Sequence, residues 1–141
     1  MIGILLIIML EGFVNLVNWR MNMMFDFGNG PVPAHKHSNG GGWVANTAYV
    51  GENARVYGNA RVYGNAQVFD NAQVFDNARV FDNARVFENA RVYGNARVYG
   101  NAQVLEYTQV FGHARVHEFA RVYGYAQVYG YAQVFGKMLV T

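Results

Sequence analysis

Valine stands at position 44 and at every sixth position through Val140, seventeen times without insertion or deletion. Two residues before each of these valines lies Ala in fourteen hexads, the exceptions being Gly42, Thr108 and Met138. In an extended chain Ala and Val then point to one side and the residue between them to the other. That residue is Arg or Gln from Arg55 to Gln133, which predicts a solvent-facing row. After Val comes mostly Tyr or Phe, and then a pair such as Gly-Asn or Asp-Asn, with Asn53 to Asn101 filling nine consecutive hexads. Gly, Asn and Asp tolerate the left-handed backbone region, so the pair predicts a tight corner. A short strand cannot bury its Ala/Val side alone, and the array must coil into a solenoid whose turns bury each other.

This arrangement, with Val at the aliphatic position and Ala at the small position of each hexad, resembles the hexapeptide-repeat, left-handed parallel β-helix family of bacterial transferase hexapeptide proteins. The resemblance covers Val44 to Val140. It implies an all-β, single-stranded left-handed parallel β-helix with three hexads per triangular coil. Periodicity alone would supply neither the three hexads nor the left hand, since most parallel crossovers are right-handed. Seventeen hexads would make about 5.7 coils and a prism roughly 27 Å long. The chain departs from the family in the position after Val, often small there and here mostly aromatic.

Upstream, residues 1–27 open with MIGILLIIML, and Glu11, Asn15, Asn18 and Asn22 recur at intervals of four, three and four. That spacing predicts an amphipathic N-terminal α-helix with one narrow polar stripe. So apolar a helix needs a cover, which could be other protein or a membrane surface, or the stretch could be a leader. Glu11 interrupts the apolar run after ten residues, where an uninterrupted span needs about 20. Residues 28–42, GNGPVPAHKHSNGGG, read as a Gly/Pro-rich hinge, and residues 43–141 as the β-helix.

Composition narrows the chemistry. There is no Cys, hence no disulfide, thiolate metal site or thiol nucleophile. A net charge of +2 is too small to mark a nucleic-acid binder. The four histidines, 35, 37, 113 and 117, do not reproduce the spacing of a three-His zinc site. The resemblance implies that family enzymes, chiefly acyltransferases, take a catalytic His from loops protruding between coils. No loop interrupts this array, and no catalytic, cofactor-binding or metal-binding residue is expected. The compartment stays open, extracellular or cell-surface as well as cytoplasmic.

The outward positions suggest contact instead. Phe69, Phe75, Phe81 and Phe87 occupy consecutive hexads and would girdle the prism; outward rings either stack along it beneath neighbouring Arg or form a sticky surface. Read every eighteen residues, Glu52, Asp70, Glu88 and Glu106 share one corner, and Arg61, Arg79, Arg97 and Arg115 share the opposite face. The acidic edge of one prism could dock on the basic face of another. From Tyr107 on, bulky residues (Tyr107, His113, Phe119, Tyr125, Tyr131) replace the corner Asn. Met138, Leu139 and Val140 place apolar side chains beside the last strand edge, and an unpaired edge recruits strands. The expected function is therefore a non-enzymatic structural protein whose partner is itself, in head-to-tail oligomers or filaments, with a second contact to protein or membrane through residues 1–27. The alternatives are a trimeric acyltransferase-like enzyme and a carbohydrate-binding surface protein.

Overall fold

The computed structural model describes residues 23–141, and the helix expected upstream lies outside them except at its end. There Met24–Asp26 form strand β1, which runs antiparallel to β2 (Pro31–Lys36). Strand β2 in turn pairs antiparallel with β3 (Trp43–Ala45), the first strand of the solenoid. The Gly28–Gly42 segment, expected as an irregular hinge, thus contains a six-residue strand. Its prolines mislead because the rest of the backbone still pairs: Ala34 N–H donates to Met23 O and Pro33 O accepts from Asn46 N–H.

From here each hexad contributes one two-residue strand. The chain proceeds through β4 (Tyr49–Val50), β5 (Arg55–Val56), β6 (Arg61–Val62), β7 (Gln67–Val68), β8 (Gln73–Val74), β9 (Arg79–Val80), β10 (Arg85–Val86) and β11 (Arg91–Val92). It continues through β12 (Arg97–Val98), β13 (Gln103–Val104), β14 (Gln109–Val110), β15 (Arg115–Val116), β16 (Arg121–Val122), β17 (Gln127–Val128), β18 (Gln133–Val134) and β19 (Leu139–Val140). Every third strand pairs in parallel, so residue i lies over residue i + 18: Val86 sits between Val68 and Val104. Three sheets result. The Arg face is β3-β6-β9-β12-β15-β18, extended by β2 and β1; the second face is β4-β7-β10-β13-β16-β19, and the third β5-β8-β11-β14-β17. The protein is an all-β solenoid of about five turns with three parallel sheets.

The inward residues follow the pattern read from the chain. Val56 to Val122 and Ala54 to Ala120 at their hexad positions have no exposed surface and form one continuous column. Thr108 takes an Ala place in that column, fully buried, and its hydroxyl has no hydrogen-bond partner. An unmade buried hydrogen bond costs about 1–3 kcal/mol. Thr108→Val keeps the shape and removes the orphan oxygen, and is expected to raise stability by about 1 kcal/mol in a denaturant titration. A midpoint at or below that of the parent would mean that the hydroxyl finds a partner.

From Gly58 to Gly136 the corners take one residue per hexad into the left-handed region, and it is the first of the pair. Gly58, Gly64, Gly94 and Gly100 have φ of 65–66°, and Asp70, Asp76, Asp82, Glu88, Glu106 and Glu118 have φ of 56–61°. The Asn position does not have a positive φ, and neither do the bulky residues that replace it. Tyr107, His113, Phe119, Tyr125 and Tyr131 therefore bear no left-handed strain.

Candidate functional site

The carboxylates at these corners bond to the turn that follows. Asp70 Oδ2 accepts the Glu88 N–H at 3.1 Å, Asp76 and Asp82 accept those of Gly94 and Gly100 at the same distance, and Glu106 and Glu118 accept those of Gly124 and Gly136 at 2.7 and 2.8 Å. Charge-assisted bonds of this kind are among the stronger ones. They compensate for placing a residue with a Cβ where Gly is easiest. Glu52, Asp70, Glu88 and Glu106 do stack on one corner, between the second and third faces and opposite the Arg face. Asp70 and Glu106 of that column already hold backbone of their own chain.

The aromatic rings also stack along the solenoid. Tyr57, Phe75, Tyr93, Phe111 and Tyr129 form one column, with centroids 4.8–5.4 Å apart. Tyr63, Phe81, Tyr99, His117 and Phe135 form a second, on which Phe27 rests at 4.9 Å. Phe69 and Phe87 stack in the third, which Leu105 continues as a buried aliphatic. Phe75 and Phe81 thus belong to different columns, as a girdle requires. Except for Tyr129 and Phe135 at the last coil, which are exposed, these rings are half-buried, and guanidinium groups cover several faces: Arg85 lies over Phe69 and Phe87 at 5.4 and 5.3 Å, and Arg91 over Phe75 and Tyr93 at 5.4 and 5.6 Å. Each such contact is worth about 0.5–1 kcal/mol at an exposed site. The rings are walls of the prism.

On the Arg face, Arg61, Arg79, Arg97 and Arg115 pair in register, one per coil. Among the described residues none is within 4.0 Å of a carboxylate, where the single ion pair is His117 with Glu118 at 3.9 Å. The other two faces interrupt their cations: Gln67, Arg85, Gln103 and Arg121 alternate on the second, and Arg55, Gln73, Arg91 and Gln109 on the third. Tyr63 stands next to this row. Burial pushes its hydroxyl above the ordinary tyrosine range, with Arg79 beside it pulling the other way.

The histidines are held in place by neighbours. His35 Nδ1 is 2.8 Å from Asn46 Oδ1, and the buried His37 has Nε2 3.0 Å from Ala54 O. His113 stacks on Tyr131 at 4.9 Å, whereas His117 stacks between Tyr99 and Phe135, so the strand β15 separates the pair. Among the described residues no three His, Cys, Asp or Glu converge as a metal site.

The two ends differ. At the first coil, β2 covers β3, while Gly42 N–H donates to Val56 O and Val56 N–H to Asn39 O, covering β5. Among the described residues, β4 is the edge there that has no such backbone cover. At the last coil β17, β18 and β19 each form the outermost strand of their sheet. Around them Tyr125 and Tyr131 are 80% and 81% exposed, and Met138, Leu139 and Phe135 are exposed too, whereas Val140 is half-buried. The capping hairpin was not expected from the sequence, and its strand β2 carries no alternating apolar signal, since Ala34 is its single buried residue.

Residues 54–70, 72–88 and 90–106 match the family model described as YdcK Beta solenoid repeat. No curated protein matches the chain, and no solved structure does. Each matched stretch begins at the Ala before a third-face strand and ends on the acidic corner, one turn of the prism. Over these three turns the chain is similar to the YdcK repeat, and it is a β-solenoid built of turns of about 18 residues.

Proposed function

We propose that the protein is a non-enzymatic structural β-helix, left-handed and of the transferase hexapeptide type, that associates with copies of itself through its C-terminal coil. The observation that carries this reading is the contrast between the ends among the described residues: backbone of the same chain covers two of three edges at the first coil, whereas at the last coil β17, β18 and β19 are outermost and lie among exposed aromatic and aliphatic side chains. Open edges are templates for strand pairing. The hairpin makes one face two strands taller at the first coil, so a flat joint forms best between two C-terminal coils related by a twofold axis. Head-to-tail filaments are the second reading, favoured by the β4 edge, which pairs with no strand on its outer side among the described residues and to which a neighbour's β19 could add Leu139 and Val140 beside Tyr49 and Val50. The uninterrupted hexads, which offer no loop for a catalytic His, support a non-enzymatic role.

Light scattering and electron microscopy on the 141-residue chain test this. The parent is expected as a dimer, or as fibres in the second reading. Leu139→Pro with Val140→Lys removes a donor and adds a charge at β19, and should leave monomers with unchanged β-rich circular dichroism. Particles of the same size before and after the change would overturn association through this coil.

A further inference from the structure

We propose that the Arg face binds a linear acidic polysaccharide lengthwise, one anionic sugar per coil. The four guanidinium groups of Arg61, Arg79, Arg97 and Arg115 repeat at the coil rise, which the rings flanking this face set at 4.8–4.9 Å. Like charges directly opposite one another on neighbouring strands are destabilising. The second and third faces avoid that cost by alternating Arg with Gln, and they lay Arg55, Arg85 and Arg91 over aromatic rings. The Arg face stacks four cations without interruption, and among the described residues only Arg61 of these lies over a ring, Phe25 at 5.2 Å. Asp76 and Asp82 flank Arg79 on its two corners, but each already accepts a backbone N–H of the next turn.

The shape of the face fits a chain. A cavity of about 430 Å³ at its first coils is lined by Lys36, Trp43, Asn59, Arg61, Asn77 and Arg79. A second, of about 210 Å³, lies at its last coils between Asn95, His113, Arg115 and Tyr131. Beside the row of cations, then, run the amide side chains of Asn59, Asn77 and Asn95, which donate and accept as sugar hydroxyls do, followed by His113 and Tyr131 at the last coils. Guanidinium recognises carboxylate or sulfate through paired N–H donors, and its long stem can follow groups that alternate sides. The spacing is close to the advance of one pyranose in an extended 1,4-linked chain. Duplex nucleic acid advances about 3.4 Å per phosphate on each strand and drifts out of register with the rungs. Single strands need free aromatic faces for base stacking, and the rings that flank this face are stacked on one another.

The test is titration of the full chain with polygalacturonate at low and high salt, with dextran, polyadenylate and duplex DNA alongside. Arg79→Gln with Arg97→Gln installs the residue that the other faces use at this position, so the fold is retained. It should weaken polygalacturonate binding at least tenfold. Arg85→Gln with Arg91→Gln removes the same charge from the other faces and should change it less than twofold. Equal losses in the two double variants would show net-charge attraction alone and overturn the assignment. So would equal binding of polyadenylate or DNA, or failure of the parent to bind polygalacturonate at low salt.

Discussion

Val86→Asp is expected to abolish the cooperative unfolding transition. Val86 has no exposed surface and packs between Val68 and Val104 in a column of aliphatic side chains. A carboxylate there meets no donor: the neighbours facing inward are Ala and Val, and every polar side chain of the central coils except Thr108 points out. Removing an ionised group from water without a partner costs several kcal/mol even after relaxation, and protonating it instead still leaves an unpaired carboxyl. A loss above about 4 kcal/mol rivals the stability of a typical domain, about 5–15 kcal/mol. The next residue supplies the control. Arg85 is exposed on the same strand, and Arg85→Gln, which gives up the contacts over Phe69 and Phe87, should cost no more than about 2 kcal/mol and keep the transition cooperative. Far-ultraviolet circular dichroism during a thermal ramp separates the two. A Val86→Asp chain that melts as the parent does would place Val outside the core.

Much of this architecture was legible in the chain because a perfect hexad lets each position be read many times. Val and Ala face inward and Arg and Gln outward, as alternation dictates, and the rings stack beneath Arg at their hexad positions. The size of the turn was not contained in the period. A six-residue repeat closes equally well with other numbers of hexads, and the pairing of i with i + 18 was expected through resemblance to a family. Which residue of the corner pair is left-handed was also readable. Gly occurs at the first corner position, never at the second between Asn53 and Tyr131, where Asn, Tyr, His and Phe all occur. A position that accepts Phe119 is not the left-handed one, whereas a position that alternates Gly with Asp and Glu is. The N-terminal cap was obscured for a different reason: prolines lack a donor and argue against a strand paired on both sides. In β2 the carbonyl of Pro33 and the N–H of Ala34 still make the bonds. For the candidate surfaces, the sequence placed the Arg row and the acidic corner opposite each other. It could not show that Asp70 and Glu106 hold their own backbone, because that depends on which atoms the corner leaves facing the next turn.

Gly100→Val should destabilise the solenoid by about 2–4 kcal/mol, and Gly100→Asp should be nearly neutral. Gly100 has φ of 65°, and a Cβ built there would lie 2.8 Å from Glu118 N and 3.2 Å from its Cα. Backbone of the next coil cannot rotate away as a side chain can. A β-branched residue meets two costs: the left-handed conformation, about 1–2 kcal/mol, and displacement of a packed corner, typically about 1–3 kcal/mol. It also supplies no acceptor. Asp meets the same two demands but tolerates the left-handed region better and brings a carboxylate to the Glu118 N–H. That arrangement already exists in the chain, where Asp70, with φ of 56°, sits above Glu88 and accepts its N–H at 3.1 Å. The acidic neighbours Asp82 and Glu118 add repulsion that screening at about 0.15 M salt reduces. The Asp variant is therefore expected within about 1 kcal/mol of the parent. Denaturant titration of the two variants at equal salt reads the difference. Equal losses for Val and Asp would mean that steric exclusion alone governs the corner, and that the carboxylate-to-amide bonds along it contribute nothing to holding successive turns together.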